Sequence, residues 1–419
     1  MNDGGVRRLR PLIAAVVLLA AIAAPTSARQ NDPGISDKSE RWIGTWASAP
    51  QLGDSGNAPP APGFADSTLR QIVHVSIGGK IIRVRLSNAF GAKPLTIPSA
   101  HVALGAGGSK IKRDTDRELT FHGQTSIVIP AGALMYSDPL SFDLATMSDL
   151  SITIRLTGVP EGITIHPGAR TTSYLQAGDF VGAEEMPDAI RVDHWYFING
   201  VDVVAGKSAG SVVTLGDSIT DGRNSITNGN GRWPDYLARR LQADKHTKNI
   251  GMLNEGIGGN RLLHDGLGPN ALARLDRDVL SQTGVRWLIV LEGINDLGTR
   301  KDAAARNEQP ASVADILAAY EQIILRAHAH GIRVYGATIL PCEGSDYFRA
   351  DLEADRQAIN TWIRSGKFDA VIDFDAATRD PGNALRLSPE ADSGDHLHPG
   401  DKGYRRMAEA VNVKLFGKK

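Results

Sequence analysis

The sequence predicts two domains of different class: an all-β domain, followed by an α/β domain that is built on a parallel sheet. Short strand-like segments bounded by turn residues fill residues 42–205, whereas residues 208–419 alternate between apolar strand-like segments and helix-like segments. The length of 419 residues exceeds that of one typical domain, since division by roughly 150 residues per domain gives two or three. We therefore expect a β-sandwich or jelly roll that precedes a parallel sheet with helices on both faces.

The strands of the first half are predicted from five segments that alternate in polarity or are rich in β-branched residues. In chain order they are LRQIVHVSI, KIIRVRLSN, TSIVIP, LSITIRLTG and HWYFINGVDVV. No segment between them has the pattern of a long amphipathic helix. The stretch WIGTWASAPQ at residues 42–51 is compatible with a strand in either half, so its partner stays open.

The second half repeats a strand and then a helix. Its strand-like segments are SVVTLGDSI, NIGMLNEGI, VRWLIVLEGIND, IRVYGATILP and AVIDFDAA. Its helix-like segments are RWPDYLARRLQAD, NALARLDRDVLSQ, VADILAAYEQIILRAHAHG, FRADLEADRQAINTWIRSG and GDKGYRRMAEAVNVKLF. Continuous apolar strands separated by helices indicate a parallel sheet that is buried on both faces. The domain boundary is expected near Lys207, where small residues accompany the change of period.

The N-terminus has the layout of a secretory signal peptide. Arg7, Arg8 and Arg10 precede an apolar stretch, and small residues that include Ala28 follow it. The apolar stretch is shorter than the roughly 20 residues that a membrane-spanning helix needs, so we expect a cleaved peptide at residues 1–28 and no stable membrane anchor. The expected location is secreted or periplasmic, and the export route stays open.

Composition excludes several classes of protein. Hydrophobic residues at 42% and charged residues at 22% are near globular averages, which argues against a disordered chain or a coiled coil. A net charge of −1 gives no overall attraction to polyanions, so we do not expect nucleic acid as a partner. The single cysteine, Cys342, leaves no internal disulfide, and it is expected to be a small buried side chain rather than a reactive thiol.

Polar and glycine residues follow three of the predicted parallel strands, at the edge of the sheet where ligands bind in open α/β folds. Ser218 follows the first strand in GDS, and it is either a helix cap or a nucleophile. The second strand leads into LNEGIGGN, whose glycine N–H groups are suited to an oxyanion, or else form a flexible turn. After the third strand, Asn295 offers an amide donor and Asp296 is expected to cap the next helix.

A base for Ser218 is predicted near the C-terminus, in DSGDHLHPG. Asp395 precedes His398 by three residues, so its carboxylate can accept from one imidazole nitrogen and leave the other free to take a proton. A serine hydroxyl is a poor nucleophile at neutral pH without such a base. His396 is expected to be structural or to face solvent. Nucleophile, donors and base together predict an acyl-transfer site.

The same motifs resemble those of the SGNH hydrolases, also called GDSL esterases and lipases. Gly-Asp-Ser near the domain start, the glycine of the second block, Gly-x-Asn-Asp in the third and Asp-x-x-His-Pro in the last carry the resemblance. It covers roughly residues 211–419 and implies a three-layer αβα domain with a flavodoxin-like sheet. It also implies that Ser218 is the nucleophile and that Asp395 and His398 complete the triad.

The resemblance implies an oxyanion hole as well. Its donors would be the N–H of Ser218, the N–H of Gly259 and the side-chain amide of Asn295. Gly259 matches the family's glycine by its distance from Asn254, but the run of three glycines leaves Gly258 as an alternative.

The expected activity is that of a serine esterase acting on short acyl esters, acetyl above all, carried on a carbohydrate, with no metal or organic cofactor. A broad carboxylesterase or lipase-like enzyme is the alternative. Two further alternatives are a metal hydrolase and a glycan-binding protein with an inactive hydrolase domain. The metal site would use Asp392, Asp395, His396 and His398. The aromatic residues that either line the site or serve packing are Trp233, Tyr347 and Phe348. The oligomeric state stays open.

Overall fold

The computed structural model describes residues 1–3, 39–158 and 161–417. The predicted signal peptide therefore lies outside the described residues, apart from its first three. The described residues from 39 onward belong to one compact unit. Among the helices of these described ranges, none is both long and apolar enough to cross a bilayer.

The first half of the described chain is built from short strands. They are β1 Glu40–Ala47, β2 Gln51–Leu52, β3 Ser67–His74, β4 Gly79–Ser87, β5 Leu95–Ile97, β6 Ala100–Leu104, β7 Arg117–Glu118, β8 Ile127–Ile129, β9 Leu134–Tyr136, β10 Leu140–Leu144, β11 Asp149–Leu156, β12 Thr164–His166, β13 Ser173–Ala177, β14 Ile190–Val192, β15 Trp195–Tyr196 and β16 Ile198–Gly206. Each of the five segments predicted as strands overlaps at least one of them.

Antiparallel pairing joins these strands into two main sheets. One has the order β1-β16-β4-β10, with β9 also paired to β4, and the other has the order β14-β13-β3-β11-β6-β7. Smaller sheets are formed by β15-β12-β2 and β5-β8. Side chains of both main sheets, such as Val84 and Ile152, lie in one buried core. The predicted all-β class of the first half is therefore confirmed, with strands that pair antiparallel.

The strand β3 shows why alternation is incomplete in this half. Arg70 is fully buried, where its guanidinium donates to Thr153 Oγ1 at 2.9 Å and to the carbonyls of Ser109 and Ala183 at 2.5 and 2.7 Å. These partners cover the face of β3 that would otherwise be solvated. A buried guanidinium is stable when its donors are satisfied in this way.

The second half of the described chain alternates strands and helices. Its strands are β17 Gly210–Gly216, β18 Ile250–Gly256, β19 Val285–Leu291, β20 Arg333–Ala337, β21 Ala370–Ile372, β22 Arg379–Asp380 and β23 Asn383–Leu387. Its α-helices are α1 Ser218–Asp221, α2 Trp233–Ala243, α3 Ala271–Leu275, α4 Ile294–Gly298, α5 Val313–Ala329, α6 Ala350–Trp362, α7 Phe374–Thr378 and α8 Asp401–Ala410.

Five of these strands form a parallel sheet in the order β18-β17-β19-β20-β21. Renumbered within the sheet, this is the flavodoxin-like order 2-1-3-4-5. All seven residues of β17 are buried, as a strand covered on both faces requires. Helices α2, α7 and α8 contact one another, and α3, α5 and α6 form a second group. The predicted αβα domain is confirmed.

The stretch WIGTWASAPQ, whose partner the sequence left open, contains most of β1, and this strand contacts both halves. It pairs with β16, and the Gly44 N–H also donates to the Thr283 carbonyl at 2.9 Å. Ser211 Oγ donates to the Gly44 carbonyl at 3.0 Å. A Cβ at Gly44 would lie 2.9 Å from a methyl group of Leu253, so glycine permits this close approach. The predicted division into domains near Lys207 falls in the short turn between β16 and β17, and it stays a prediction.

Candidate active site

Ser218 lies at the carboxyl end of β17, the strand at which the strand order reverses, because β18 lies on one side of β17 and β19 on the other. It is the first residue of α1, and the preceding residue, Asp217, caps that helix by accepting from the Ile219 N–H at 2.8 Å. Gly216 permits the sharp exit from the strand, because a Cβ there would lie 2.1 Å from Thr220 Oγ1. The Ser218 hydroxyl is therefore not needed as a helix cap and is free for other contacts.

The structure brings Ser218, His398 and Asp395 into one line of hydrogen bonds. Ser218 Oγ lies 2.8 Å from His398 Nε2, and His398 Nδ1 lies 2.7 Å from Asp395 Oδ2. The aspartate also accepts from the His398 backbone N–H at 2.8 Å and from the Leu397 N–H at 3.0 Å. These backbone contacts fold the segment into a turn, which places the carboxylate against the ring of a histidine three residues away.

Asn224 is a further hydrogen-bond partner of Asp395, and the sequence did not indicate this contact. Its side-chain amide donates to Asp395 Oδ2 and to Ser393 Oγ, both at 2.8 Å. Burial raises the pKa of Asp395, but hydrogen bonds from the His398 backbone, the His398 ring and the Leu397 N–H outweigh it, so the pKa is lowered. The aspartate is thus ionised at neutral pH and orients the imidazole.

The imidazole of His398 is held mainly in its neutral form. Burial lowers its pKa, because an imidazolium loses solvation there, and Asp395 offsets part of this effect. The positive charges of Arg223 and Arg170 lower the pKa of His398 further. A neutral histidine beside a serine hydroxyl is able to accept its proton at neutral pH.

Asn295 lies at the start of α4, directly after β19. Its Nδ2 donates to the Asn260 carbonyl at 2.9 Å, and its Oδ1 accepts from Tyr347 Oη at 2.9 Å. These two contacts orient the amide and leave one N–H of Nδ2 available. Gly259 has a φ of 70°, a left-handed conformation that favours glycine, and both Gly258 and Gly259 are partly exposed. Gly259 and Gly258 both remain candidates for the backbone donor.

The expectation that Asp296 caps the next helix is wrong. Helix α4 begins at Ile294 with Gly293 at its N-cap position, no side chain caps it, and Asp296 lies in its first turn. Its two carboxylate oxygens accept from the Leu262 N–H at 3.0 and 2.9 Å. Burial raises the pKa of Asp296 to about 6, although these hydrogen bonds oppose the shift. Asp296 therefore anchors the loop that follows the three glycines.

A buried arginine joins the strand ends beneath the site. Arg274 of α3 donates to the Gly216 carbonyl at 3.1 Å, to the Glu255 carbonyl at 2.6 Å and to Asn260 Oδ1 at 3.0 Å. The ends of β17 and β18 and the glycine-rich loop are thus held by one side chain. In the sequence, Arg274 is one polar residue of a predicted helix, and nothing in the local pattern indicates that it is buried or that it binds the strand ends.

Buried carboxyl groups surround this arginine. Burial raises the pKa of Asp217 to about 7, and the neighbouring Asp296 and Asp221 add to the shift. Burial likewise raises the pKa of Glu255 and of Glu292 well above the usual range for glutamate. Few of these groups therefore carry a full negative charge near Ser218 at neutral pH.

The antiparallel half contacts α1 directly. His166, at the end of β12, places Nε2 3.0 Å from Asp221 Oδ1 and Nδ1 2.8 Å from the Ala49 carbonyl. Both side chains of the His166–Asp221 pair are nearly fully buried, at 4% and 3% exposure. A Cβ at Gly168 would lie 1.9 Å from Asp221 Oδ2, so this segment packs closely on α1, which begins at Ser218.

The four residues of the alternative metal site form two separate pairs. His396 is half-exposed and bonds to Asp392, as expected for a structural or solvent-facing residue, while His398 bonds to Asp395. Within the described ranges, no group of three or more histidine, cysteine or acidic side chains is arranged to hold a metal ion.

Three aromatic residues and the cysteine have different surroundings. Trp233 is fully buried and packs edge-on against Phe374, so it belongs to the core. Tyr347 is partly buried and holds Asn295, while Phe348 packs against the core of the second half. Cys342 is fully buried, as predicted.

A parallel α/β sheet that carries a serine, a histidine and an aspartate hydrogen-bonded in line at its carboxyl edge is typical of serine hydrolases. The family comparison is more specific, because residues 214–406 match the GDSL-like lipase/acylhydrolase family. This part of the chain is therefore similar to the GDSL-like lipases and acylhydrolases, and the similarity supports an ester hydrolase.

Solved structures are similar to about half of the chain. A protein of the G-D-S-L lipolytic family from Desulfitobacterium hafniense DCB-2 is 22% identical, with 48% of this chain and 96% of that chain covered and a TM-score of 0.36. An acetylxylan esterase from Geobacillus stearothermophilus is 22% identical, with 49% and 94% covered and a TM-score of 0.39. No curated protein sequence matches the chain.

Proposed function

We propose that the protein is an exported serine esterase that hydrolyses short acyl esters through Ser218, His398 and Asp395. One observation carries this proposal: Ser218 Oγ lies 2.8 Å from His398 Nε2, while His398 Nδ1 lies 2.7 Å from Asp395 Oδ2. These distances suit proton transfer from the hydroxyl to the imidazole.

In the first step, Ser218 Oγ attacks the ester carbonyl carbon as His398 Nε2 takes the hydroxyl proton. Asp395 stabilises the imidazolium that forms and keeps Nδ1 protonated. The negative charge that develops on the carbonyl oxygen is held by the Ser218 N–H, the Gly259 N–H and the free N–H of Asn295 Nδ2. Donors that are already oriented require little rearrangement when that charge appears.

In the second step, His398 gives its proton to the leaving alcohol, and the bond between the carbonyl carbon and the alcohol oxygen breaks. The acyl group remains on Ser218 Oγ. Water then attacks the acyl-enzyme with His398 again as base, which releases the acid and restores the serine hydroxyl. The residues hold and move one proton, and no metal or organic cofactor is part of the proposed steps.

The substrate is proposed to be a short acyl ester, with acetyl preferred, on a carbohydrate. The predicted export would place the enzyme among extracellular polymers, and an antiparallel β domain beside a catalytic domain often holds glycans or shapes a cleft. A broad carboxylesterase without a preferred carbohydrate is the second candidate.

A substrate panel separates the two candidates. We expect kcat/KM to fall from acetyl to butyryl to octanoyl esters of one alcohol, steeply once the acyl chain meets a wall of the pocket. We also expect release of acetate from acetylated xylan or pectin. A preference for octanoyl esters without release of acetate from any glycan would leave a lipase-like enzyme.

Export is tested independently of activity. Expression of the full chain in a bacterium, followed by N-terminal sequencing of the protein outside the cytoplasm, should give a mature chain that begins after residue 28. Recovery of only the uncleaved chain inside the cytoplasm would contradict export and leave the esterase proposal intact.

A further inference from the structure

Two arginine side chains lie beside the proposed triad without a role in the proposed proton transfers. The first is Arg223, whose N–H donates to the Ser218 carbonyl at 2.8 Å and whose carbonyl accepts from Tyr404 Oη at 2.5 Å. The next residue, Asn224, donates to Asp395. These contacts fix the backbone of Arg223 between nucleophile and aspartate, while its side chain is exposed.

The second is Arg170, which comes from the antiparallel half. Its φ of 49° lies in the left-handed region, which is uncommon for a residue other than glycine and costs free energy. Its carbonyl accepts from the Asn228 N–H at 2.9 Å, and the Thr172 N–H donates to Asn228 Oδ1 at 2.8 Å. The loop that contains Asn228 therefore holds the backbone of Arg170 in an unfavourable conformation. These contacts fix the position of the Arg170 Cα, from which the side chain extends.

Within the described ranges, neither guanidinium has a hydrogen bond or an ion pair, and the Nε of Arg170 is buried without a partner. Neighbouring carboxylates do not compensate, because Asp395 and Asp221 are engaged with histidines. Both arginines are close enough to His398 to lower its pKa. Two unpaired positive charges thus lie beside the proposed reaction centre.

We propose that Arg170 and Arg223 bind an anionic group, a carboxylate or a phosphate, on the alcohol part of the ester substrate. This inference rests on the proposed esterase function. A guanidinium presents its donors in a planar fork that matches the oxygens of either group, and hydrogen bonds between such charged partners are stronger than neutral ones.

The anionic group belongs to the alcohol part because of where the arginines lie. His398 gives its proton to the leaving alcohol, and both arginines interact electrostatically with His398. The donors proposed for the carbonyl oxygen, Gly259 and Asn295, follow β18 and β19 instead. An acylated uronic acid and an acylated sugar phosphate both satisfy this arrangement.

The test compares three acetyl esters that differ in one substituent: 4-acetoxybenzoate, 4-acetoxyphenyl phosphate and the uncharged 4-acetoxybenzamide. Initial rates at low ionic strength are measured for the wild type, for Arg170→Gln, Arg223→Gln and the double variant. Arg333→Gln is the matched control, because it removes an exposed arginine at the amino end of β20, opposite the candidate site. Comparing ratios of kcat/KM between variants cancels differences in leaving-group reactivity.

We expect the wild type to prefer at least one charged ester over the neutral one through a lower KM. In the double variant, the ratio of kcat/KM for the charged ester to kcat/KM for the neutral ester should fall by about tenfold or more, as expected for charged hydrogen bonds. Added salt should weaken the preference of the wild type. The control should keep the wild-type ratio. The charged ester whose preference is lost in the double variant identifies whether the arginines bind a carboxylate or a phosphate.

An unchanged ratio in the double variant would overturn this inference. So would an equal loss on charged and neutral esters with a raised apparent pKa for His398, since the arginines would then only tune the histidine. If the wild type hydrolyses none of the three esters, or Ser218→Ala retains the activity, the proposed function fails and this inference fails with it.

Discussion

The two halves of the molecule approach the candidate site in different ways. The parallel-sheet half supplies Ser218, Asn295 and His398, because the carboxyl ends of β17 and β19 and the C-terminal loop meet at one edge. The antiparallel half supplies none of the groups proposed to transfer protons, yet His166 and Arg170 reach the loop after the nucleophile. Under the proposed function, the parallel-sheet half performs the chemistry, whereas the antiparallel half fixes the loop after Ser218 and contributes to substrate choice.

The largest expected effect comes from the half that performs the chemistry. Ser218→Ala should lower kcat by about 10⁴ to 10⁶, as loss of a triad nucleophile typically does, while leaving the far-UV circular dichroism spectrum unchanged. Ser225→Ala, in the same loop, is the matched control and should retain activity. Near-normal hydrolysis by Ser218→Ala would contradict the proposal that the parallel-sheet half supplies the nucleophile.

The bracing role of the antiparallel half is tested by His166→Ala. This change leaves the buried Asp221 carboxylate without its partner and should lower the free energy of unfolding by about 3 to 5 kcal/mol. It should also lower kcat, since Asp221 belongs to α1. His101→Ala, which removes a more exposed pair with Asp116 in the same half, should cost about 1 kcal/mol or less.

Denaturant unfolding and initial rates on one acetyl ester measure both effects. A His166→Ala variant with reduced stability but unchanged kcat would mean that the antiparallel half supports the fold and does not brace the nucleophile.

A smaller effect is expected at the oxyanion donor. Asn295→Ala should lower kcat by about 10² to 10³, because one oriented donor to the developing negative charge is lost. Tyr347→Phe removes only the hydroxyl that orients this amide and should lower kcat less. If Asn295→Ala raised KM alone, Asn295 would be a residue that binds substrate in its ground state.

The smallest expected effect is a displacement of the pH profile. Burial lowers the pKa of His398, so its neutral, active form persists to lower pH than for a solvated histidine. The rate constant kcat/KM should therefore rise with pH through an apparent pKa below about 6.5 and then level off. Removing the positive charge of Arg223 should move that midpoint upward. A midpoint above 7 in the wild type would contradict the predicted direction.

Much of the catalytic half could be predicted from the sequence because its signals are local. Each apolar strand ends at a glycine or a polar residue, so the sites of Ser218 and Asn295 follow from where the apolar run stops. The turn from Asp395 to His398 spans three residues and needs no knowledge of the rest of the chain. The flavodoxin-like order was available only through the family resemblance.

The remaining features depend on contacts between distant segments. His166 and Asp221 are 55 positions apart and meet only because β12 ends against α1. Asn224 lies in a loop without periodicity, so nothing in its neighbourhood marks it as a partner of Asp395. Asp296 was predicted as a helix cap because it follows a strand closely. Its carboxylate instead accepts a hydrogen bond from the Leu262 N–H, a contact with a distant segment.

The central claim, an acyl-enzyme on Ser218, is tested most directly by covalent labelling with a fluorophosphonate, which reacts with activated serines. Intact-mass measurement and peptide mapping should show one adduct per chain, on Ser218, with loss of ester hydrolysis in parallel. The Ser218→Ala variant should remain unlabelled, and labelling should slow as pH falls and His398 becomes protonated. An adduct on another residue, or an unlabelled protein that still hydrolyses esters, would contradict the account.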